Sequence, residues 1–342
     1  MTKIDIKNFT FVELKTQLAG LQQAAYRAEQ IYFWLYQRGA LGFDDMRNMS
    51  KPLLKTLEEK FYISTLELCE HQSSPQQAEK FLFKLADDNF IETVLITAKE
   101  RKTVCLSTQV GCKFGCAFCA SGRNGFVRDL TPGEIVNQAL CLHYTLQHRI
   151  TNYVFMGMGE PLDNLDNLIK AITIMNEPKG LAVGARRITV STCGIIPGIE
   201  KLKDLNLQIN LSISLHAVNN ALRDELVPIN KKYPLEKLIK ACEKYVAFGG
   251  RIITLEYVLI KNKNDSAKDA DKLAAIAKKI RAKVNIIPCS PIDSSGYQPP
   301  QEREINAFIE RLTSTGVSAT VRESKGADIQ AACGQLAGRK KV

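Results

Sequence analysis

Three cysteines, Cys112, Cys116 and Cys119, are spaced four and three positions apart in a segment that also contains two glycines. Thiolates are soft ligands that suit iron–sulfur clusters or zinc. A structural zinc site uses four protein ligands, so a zinc interpretation needs Cys105 or a distant cysteine as the fourth. Three cysteines without an adjacent fourth instead favour a [4Fe–4S] cluster, in which one open iron can bind a small molecule.

The spacing of these cysteines resembles that of the radical S-adenosylmethionine (SAM) superfamily. Three further motifs occur in order: Cys-Leu-Ser-Thr-Gln-Val-Gly-Cys at 105–112, Met-Gly-Met-Gly-Glu-Pro at 156–161 and Ala-Cys-Gly-Gln-Leu at 332–336. Together they resemble the RlmN/Cfr type of RNA adenine methyltransferase over residues 26–338. The resemblance implies that the chain is an enzyme with a [4Fe–4S] cluster as cofactor and two SAM molecules used in each turnover.

The resemblance also implies which residues hold the cofactors. Cys112, Cys116 and Cys119 would bind three irons of the cluster. The glycine-containing segment that follows a predicted strand would bind the SAM amino group, because glycine lets the backbone approach a ligand closely. Where this chain has Ser290, the family usually has Asn within Pro-x-Asn-Pro. Serine can still donate and accept a hydrogen bond there. The SAM-contacting positions are Gly159, Glu160, Ser191, Ser214, Leu215, His216 and Ser290.

Cys105 and Cys333 decide the reaction that the resemblance implies. Adenine C2 is not a nucleophile, so it cannot take a methyl group from SAM directly. In the family's chemistry, Cys333 would first accept a methyl group, a radical would then remove hydrogen from that methyl group, and the resulting carbon would bond to C2. Cys105 would take part in product release, with formation of a Cys105–Cys333 disulfide that reducing conditions reset.

Glu92 has two interpretations. In an otherwise apolar predicted strand, the exposed face of an edge strand is the expected position for a carboxylate, because burial without a partner is costly. Glu92 also lies thirteen residues before Cys105, where the resembling family has Glu in Glu-Thr-Val. That match makes Glu92 a candidate general base for the C2 proton.

The charge of the chain favours a polyanionic partner. Its 46 Lys and Arg residues exceed its 36 Asp and Glu residues, which gives a net charge of +10 and a pI near 9.0. The resemblance implies 23S ribosomal RNA and tRNA beside the anticodon, with an adenine that is displaced from its stack. Candidate phosphate-binding residues are Arg186, Arg187, Arg223, Lys231, Lys232, Arg281, Lys283 and Arg322. An electron-donor protein such as flavodoxin or ferredoxin is a further expected partner.

The ten cysteines are not expected to form a disulfide scaffold. The first residues have no apolar signal region, and no apolar run approaches the length of a membrane span. We therefore expect a cytoplasmic, monomeric protein without membrane contact, in a reducing compartment.

The chain is predicted to divide into four parts. Residues 1–62 read as a small helical accessory domain, either an RNA-binding module or a packing cap, with Gly39 ending a helix and Ser50 capping the next. Residues 63–100 contain a β-hairpin around the turn residues 87–89. Residues 101–338 form the core, and 339–342 are a tail that we expect to be disordered.

Strand and helix patterns alternate throughout the core, which predicts an α/β fold with a parallel sheet. The predicted strands are 103–107, 153–156, 187–191, 208–214, 252–259 and 283–287, with a late strand near 319–322. Six strand–helix units are too few for an eight-fold barrel, and the resemblance implies the partial (β/α)6 barrel of the radical SAM core. The candidate site residues of this core follow strands, at the end where barrel active sites assemble.

Alternative functions remain open at this point. Methylation at adenine C8 uses the same cofactors, although Pro161 favours the C2 branch. A radical SAM activase acting on an acidic protein would leave Cys105 and Cys333 without a role. A non-catalytic RNA-binding module would contain zinc instead of a cluster.

Overall fold

The N-terminal part of the chain consists of three short helices that pack against one face of the core. In this computed structural model, residues 3–123, 125–249, 251–292, 296–322 and 325–338 are described. The expected tail at 339–342 lies outside them.

The helices are α1 (Phe11–Gly20), α2 (Tyr26–Tyr32), α3 (Lys51–Lys60), α4 (Ala120–Arg123), α5 (Pro132–Leu140), α6 (Leu165–Asn176), α7 (Ile196–Leu202), α8 (Asn220–Leu226), α9 (Leu235–Ala247), α10 (Ala267–Lys279) and α11 (Glu302–Ser314).

Local signals explain several helix ends. Thr10 and Glu13 form a reciprocal capping box at the start of α1. A π-helical turn, Phe33–Gln37, extends α2, and Gly39 then takes a positive φ of 66°, as the sequence predicts. Ser50 occupies the N-cap position of α3, as predicted, although its side chain makes no capping hydrogen bond, and Pro52 lies in the first turn.

The strands form one large sheet and two small ones. They are β1 (Ile4–Asp5), β2 (Phe61–Tyr62), β3 (Glu67–Ser74), β4 (Ala78–Lys84), β5 (Phe90–Ala98), β6 (Arg101–Cys105), β7 (Gln109–Gly111), β8 (Phe126–Asp129), β9 (Asn152–Phe155), β10 (Ile188–Thr192), β11 (Asn210–Ser214), β12 (Thr254–Leu259), β13 (Lys283–Pro288) and β14 (Ala319–Val321). All seven strands predicted for the core are present, with ends shifted by one or two residues.

The large sheet has ten strands in the order β14-β13-β12-β11-β10-β9-β6-β5-β4-β3. Strand β6 and strands β9 to β14 are parallel, whereas β3 to β6 pair antiparallel. The predicted α/β fold with a partial barrel is confirmed, and the predicted hairpin is β4–β5. Because β5 lies between β4 and β6, the edge-strand interpretation of Glu92 is wrong, and Glu92 is only 3% exposed.

Among the described residues, one large hydrophobic cluster contains side chains of both the N-terminal helices and the barrel, so the two parts share a core. Buried polar contacts reinforce this junction. The Lys7 ammonium donates to the Asn137 side chain at 2.8 Å and to the Ser64 carbonyl at 2.9 Å, and its burial lowers the pKa of Lys7 to about 8. Across the described ranges, every helix is too short or too polar to cross a lipid bilayer.

Candidate active site

The cysteine loop begins where β7 ends and continues into α4. The Cys112 N–H donates to the Gly125 carbonyl at 2.9 Å, and the Cys119 N–H donates to the Cys116 carbonyl at 3.0 Å. Gly111 has a positive φ of 74°, and a Cβ at this position would collide with the Gly125 carbonyl oxygen. The local turn therefore depends on glycine, as well as on the cysteine spacing.

The three thiols of the loop line one cavity of about 150 Å³, here called the main cavity. Burial, together with the neighbouring thiols, raises the pKa of Cys112 to about 12 and raises that of Cys116 well above its ordinary value. In the described parts of the chain, no three His, Cys, Asp or Glu side chains converge as ligands of a single metal ion. Three thiols at one cavity suit a [4Fe–4S] cluster, in which each thiolate binds a different iron.

Glu160 lies in the wall of the main cavity, directly after Gly159. Its carboxylate accepts hydrogen bonds from the backbone N–H groups of Cys193 at 2.7 Å and Leu162 at 3.0 Å. Burial raises the pKa of Glu160, and these hydrogen bonds oppose the rise. Gly159 has a φ of 97°, and a Cβ there would lie 2.6 Å from the Gln109 side chain. The two residues thus form a fixed turn that holds an acceptor at the cavity wall.

Ser191, Ser214 and His216 line the same cavity at the ends of neighbouring strands. The two serine hydroxyls are 3.4 Å apart. The His216 Nδ1 accepts the backbone N–H of Val258 at 3.0 Å, so this nitrogen carries no proton. Burial, assisted by nearby Arg223, lowers the pKa of His216 to about 3. His216 is therefore a neutral imidazole whose other nitrogen is a donor.

Leu215 and Ser290 are placed differently from these residues. Leu215 lies between two cavity residues, but its side chain belongs to the hydrophobic core. Ser290 follows β13 and is 8% exposed, and it is not among the described residues that line the main cavity. The structure therefore brings most, but not all, of the predicted SAM-contacting positions to one cavity.

Cys105 and Cys333 line a second cavity of about 80 Å³, here called the thiol cavity, and Cys333 lines the main cavity as well. Cys105 is 7% exposed, whereas Cys333 is exposed. Burial and the nearby Cys333 raise the pKa of Cys105 to about 12, although Arg322 opposes the rise. All ten cysteines are free thiols in this structure, so the Cys105–Cys333 disulfide remains a prediction.

Glu92 lies apart from both cavities. Its Oε1 atom pairs with the Lys80 ammonium at 3.0 Å, and its Oε2 atom accepts the backbone N–H groups of Ala337 at 2.6 Å and Gly338 at 2.9 Å. Among the described residues that line the main and thiol cavities, Glu92 does not occur. Its carboxylate thus contacts the segment that carries Cys333 instead of facing the thiols.

Sequence reasoning misassigned Arg223. It is fully buried, so the predicted phosphate contact is wrong. Its guanidinium donates to the backbone carbonyls of Leu215, Cys193 and Ser214, at 3.1, 2.7 and 3.2 Å respectively. Arg322, another predicted phosphate ligand, lines both cavities instead. The sequence signal for Arg223 was its place in the first turns after β11, where an arginine can reach back to the strand ends.

Residue types and positions together define what the site can do. The lining of the main cavity includes three thiols suited to a cluster together with a carboxylate and hydroxyls suited to a polar ligand, and the Cys333 thiol lines both this cavity and that of Cys105. A family model of the Radical SAM superfamily matches residues 106–274. Barrel, cysteine loop and family model define the class of protein as a radical SAM enzyme, which implies a [4Fe–4S] cluster and SAM.

Comparisons with whole proteins identify the family within this class. A model of the ribosomal RNA large subunit methyltransferase N-terminal domain matches residues 4–63. A probable dual-specificity RNA methyltransferase RlmN of Clostridium novyi is 44% identical over 97% of this chain and 97% of its own length. A dual-specificity RNA methyltransferase RlmN of Geotalea uraniireducens is 43% identical over 99% of this chain and 98% of its own length. The chain therefore belongs to the RlmN family of radical SAM methyltransferases.

The structure agrees with this assignment. A crystal structure of a radical SAM methyltransferase from Sphaerobacter thermophilus superposes with a TM-score of 0.93 at 40% sequence identity, and the match covers 98% of this chain and 100% of that chain. The likeness extends over the N-terminal helices and the antiparallel strands as well as the barrel.

Proposed function

We propose that this protein methylates C2 of adenine in 23S ribosomal RNA and in tRNA next to the anticodon, through an S-methylcysteine at Cys333. The single observation that carries the proposal is the position of Cys333, which lines both the main cavity and the thiol cavity of Cys105. A thiol in this position reaches a methyl donor on one side and the second thiol on the other. The names of the relatives support RNA as the substrate.

The cofactor-binding roles are assigned to residues of the main cavity. Cys112, Cys116 and Cys119 would hold the cluster, which supplies the electron for reductive cleavage of SAM. Glu160 would accept the SAM ammonium group, because its carboxylate lies in the wall of the cavity. Backbone N–H donors fix that carboxylate in place. Ser191, Ser214 and His216 would orient the rest of SAM, with Gly159, Leu215 and Ser290 contributing backbone or shape.

The catalytic roles follow from the thiols. Cys333 would accept a methyl group from the first of two SAM molecules and pass one hydrogen atom of that methyl group to the 5′-deoxyadenosyl group derived from the second. The resulting carbon would form a carbon–carbon bond to adenine C2. Glu92 would accept the C2 proton. Cys105, as its thiolate, would then bond to the Cys333 sulfur, which breaks the bond between that sulfur and the new methyl carbon. That carbon would take up a proton, and the one electron left over from the radical addition would return to the cluster. External reductant would reduce the resulting disulfide.

The remaining partners follow from charge and chemistry. The net charge of +10 supports RNA binding. A flavodoxin or ferredoxin would supply the electron, and we propose that the protein acts as a monomer in the cytoplasm.

The decisive experiment is anaerobic reconstitution of the cluster, followed by incubation with SAM, a reductant and protein-free ribosomal RNA or tRNA. We expect 2-methyladenine and 5′-deoxyadenosine together, detected by mass spectrometry of digested RNA. Cys333→Ala should retain its iron content and lose methyl transfer. Normal methylation by Cys333→Ala would overturn the covalent route, and 8-methyladenine would overturn the C2 assignment.

A further inference from the structure

The residues that carry Cys333 lie against the antiparallel strands that precede the barrel. Residues 325–338, here called the C-terminal segment, follow β14 and cross to β3, β4 and β5. The Lys325 ammonium donates to the Thr97 carbonyl at 2.9 Å, and the Ser74 hydroxyl donates to the Asp328 carboxylate at 2.7 Å. The antiparallel strands are therefore the surface on which the segment is docked.

A buried ion pair in these strands contacts the segment on both sides of Cys333. The Lys80 ammonium pairs with Glu92 at 3.0 Å and also donates to the Gln330 carbonyl at 3.4 Å. The Glu92 carboxylate accepts the N–H groups of Ala337 and Gly338. One contact thus precedes Cys333 by three residues, and the other follows it by four and five.

We propose that Lys80 is a positioning residue that, through Glu92, holds the C-terminal segment docked with Cys333 at the junction of the two cavities. The role of Cys333 in this inference rests on the proposed function. The relevant side chains are nearly inaccessible, with Lys80 6% and Glu92 3% exposed. Buried charges require partners, and hydrogen bonds to a charged acceptor are stronger than those between neutral groups. Without Lys80, the carboxylate would lose its buried counter-charge and hold the two amides less firmly.

The docked arrangement also determines which partners the Glu92 carboxylate has. While the segment is docked, both carboxylate oxygens are engaged, one with Lys80 and one with the amides of Ala337 and Gly338. A carboxylate held in this way is a structural acceptor. In the docked arrangement Glu92 therefore serves to hold the segment.

Hydrogen–deuterium exchange of the cluster-loaded full chain tests the proposal without requiring turnover. Lys80→Met should raise amide exchange in peptides covering 330–338 by about 10-fold to 100-fold, as expected when hydrogen bonds to a charged group are weakened. Lys80→Arg, which keeps the charge, should exchange within about twofold of wild type. Lys84→Met is the matched control, because Lys84 lies on the same strand, is also paired with a carboxylate, that of Asp88, and should leave the segment unchanged.

Two results would overturn the inference. One is unchanged exchange in 330–338 for Lys80→Met, and the other is exchange in Lys80→Arg as fast as in Lys80→Met, which would reduce Lys80 to a packing role. If Lys80→Met raises exchange in β10 as well, the fold has loosened, and Lys80→Gln, with a neutral polar side chain, replaces it. A selective rise in that variant supports the proposal, and no rise overturns it.

Methyl transfer to RNA is measured in parallel for the same proteins. We expect Lys80→Met to lose at least tenfold in methylation rate and Lys80→Arg to recover most of it. A wild-type protein that transfers no methyl group to RNA would refute the proposed function, while the exchange comparison would still decide how the segment is held.

Discussion

The guanidinium of Arg223 donates a 2.7 Å hydrogen bond to the backbone carbonyl of Cys193, the residue whose own N–H donates to the Glu160 carboxylate. A buried cation on α8 thus holds the residue whose backbone N–H holds the cavity carboxylate. Burial lowers the pKa of Arg223, and the nearby carbonyl oxygens accept the hydrogen bonds of its buried guanidinium.

Arg223→Lys should destabilise the protein by about 2–4 kcal/mol, because a lysine cannot supply the fork of donors that the guanidinium provides. Urea unfolding under reducing conditions measures the change in the free energy of unfolding. Arg186→Lys is the control, since Arg186 is exposed and should change stability by less than about 0.5 kcal/mol. Equal effects of the two substitutions would contradict the structural role of Arg223.

Alkylation should distinguish the two reactive cysteines. With a pKa of about 12, Cys105 has a thiolate fraction of about 10⁻⁴ at pH 8, and it is also buried. Iodoacetamide should therefore label Cys105 at least 100-fold more slowly than the exposed Cys333, as followed by peptide mass spectrometry in cluster-free protein. The Cys105 rate should rise about tenfold per pH unit. Comparable labelling rates at pH 8 would show that Cys105 is accessible and ionised.

His216 should make the protein less stable in mild acid. Its pKa is about 3 in the folded protein and 6.5 in the unfolded chain, so the unfolded state binds the proton that the folded state refuses. The stabilising contribution is fully present above pH 6.5 and is lost as pH falls. The loss in the free energy of unfolding reaches about 2 kcal/mol at pH 5. Denaturant unfolding between pH 8 and pH 5 measures it. His216→Asn should show a correspondingly smaller loss over this range, and an identical pH dependence would contradict the assignment.

Glu160→Gln should weaken SAM binding. The substitution removes the charge that would pair with the SAM ammonium and turns an amide N–H₂ towards a backbone N–H donor. We expect the Kd for SAM to rise about 10-fold to 100-fold, measured by equilibrium dialysis with cluster-loaded protein. Glu225→Gln, an exposed carboxylate paired with Lys263, should leave the Kd unchanged. Retained affinity in Glu160→Gln would place the ammonium site elsewhere.

The order of the helices and strands can be predicted from the sequence, and so can the site residues that follow strands. Alternating strand and helix patterns predict all seven parallel strands, because buried strands are apolar and their ends are marked by polar and glycine residues. The cysteine loop and the cavity residues Glu160, Ser191 and Ser214 meet at one edge for the same reason.

The errors concern contacts between distant parts of the chain. One of the two interpretations of Glu92, an exposed edge, is wrong because local sequence does not show that β6 pairs with β5, nor that Lys80 and the C-terminal segment supply its partners. Sequence alone favours a surface position for Arg223 because arginine is usually exposed, and only the fold reveals the carbonyls around it. Burial of a charge depends on tertiary partners, which residue spacing does not encode.

The outer strands of the ten-stranded sheet are β3 and β14, and the C-terminal segment runs from just beyond one to contacts with the other through Ser74 and Asp328. Cys333 therefore lies on the segment that connects the two edge strands of the partial barrel. Truncation after β14 would therefore remove the contacts between these edges as well as the Cys333 thiol.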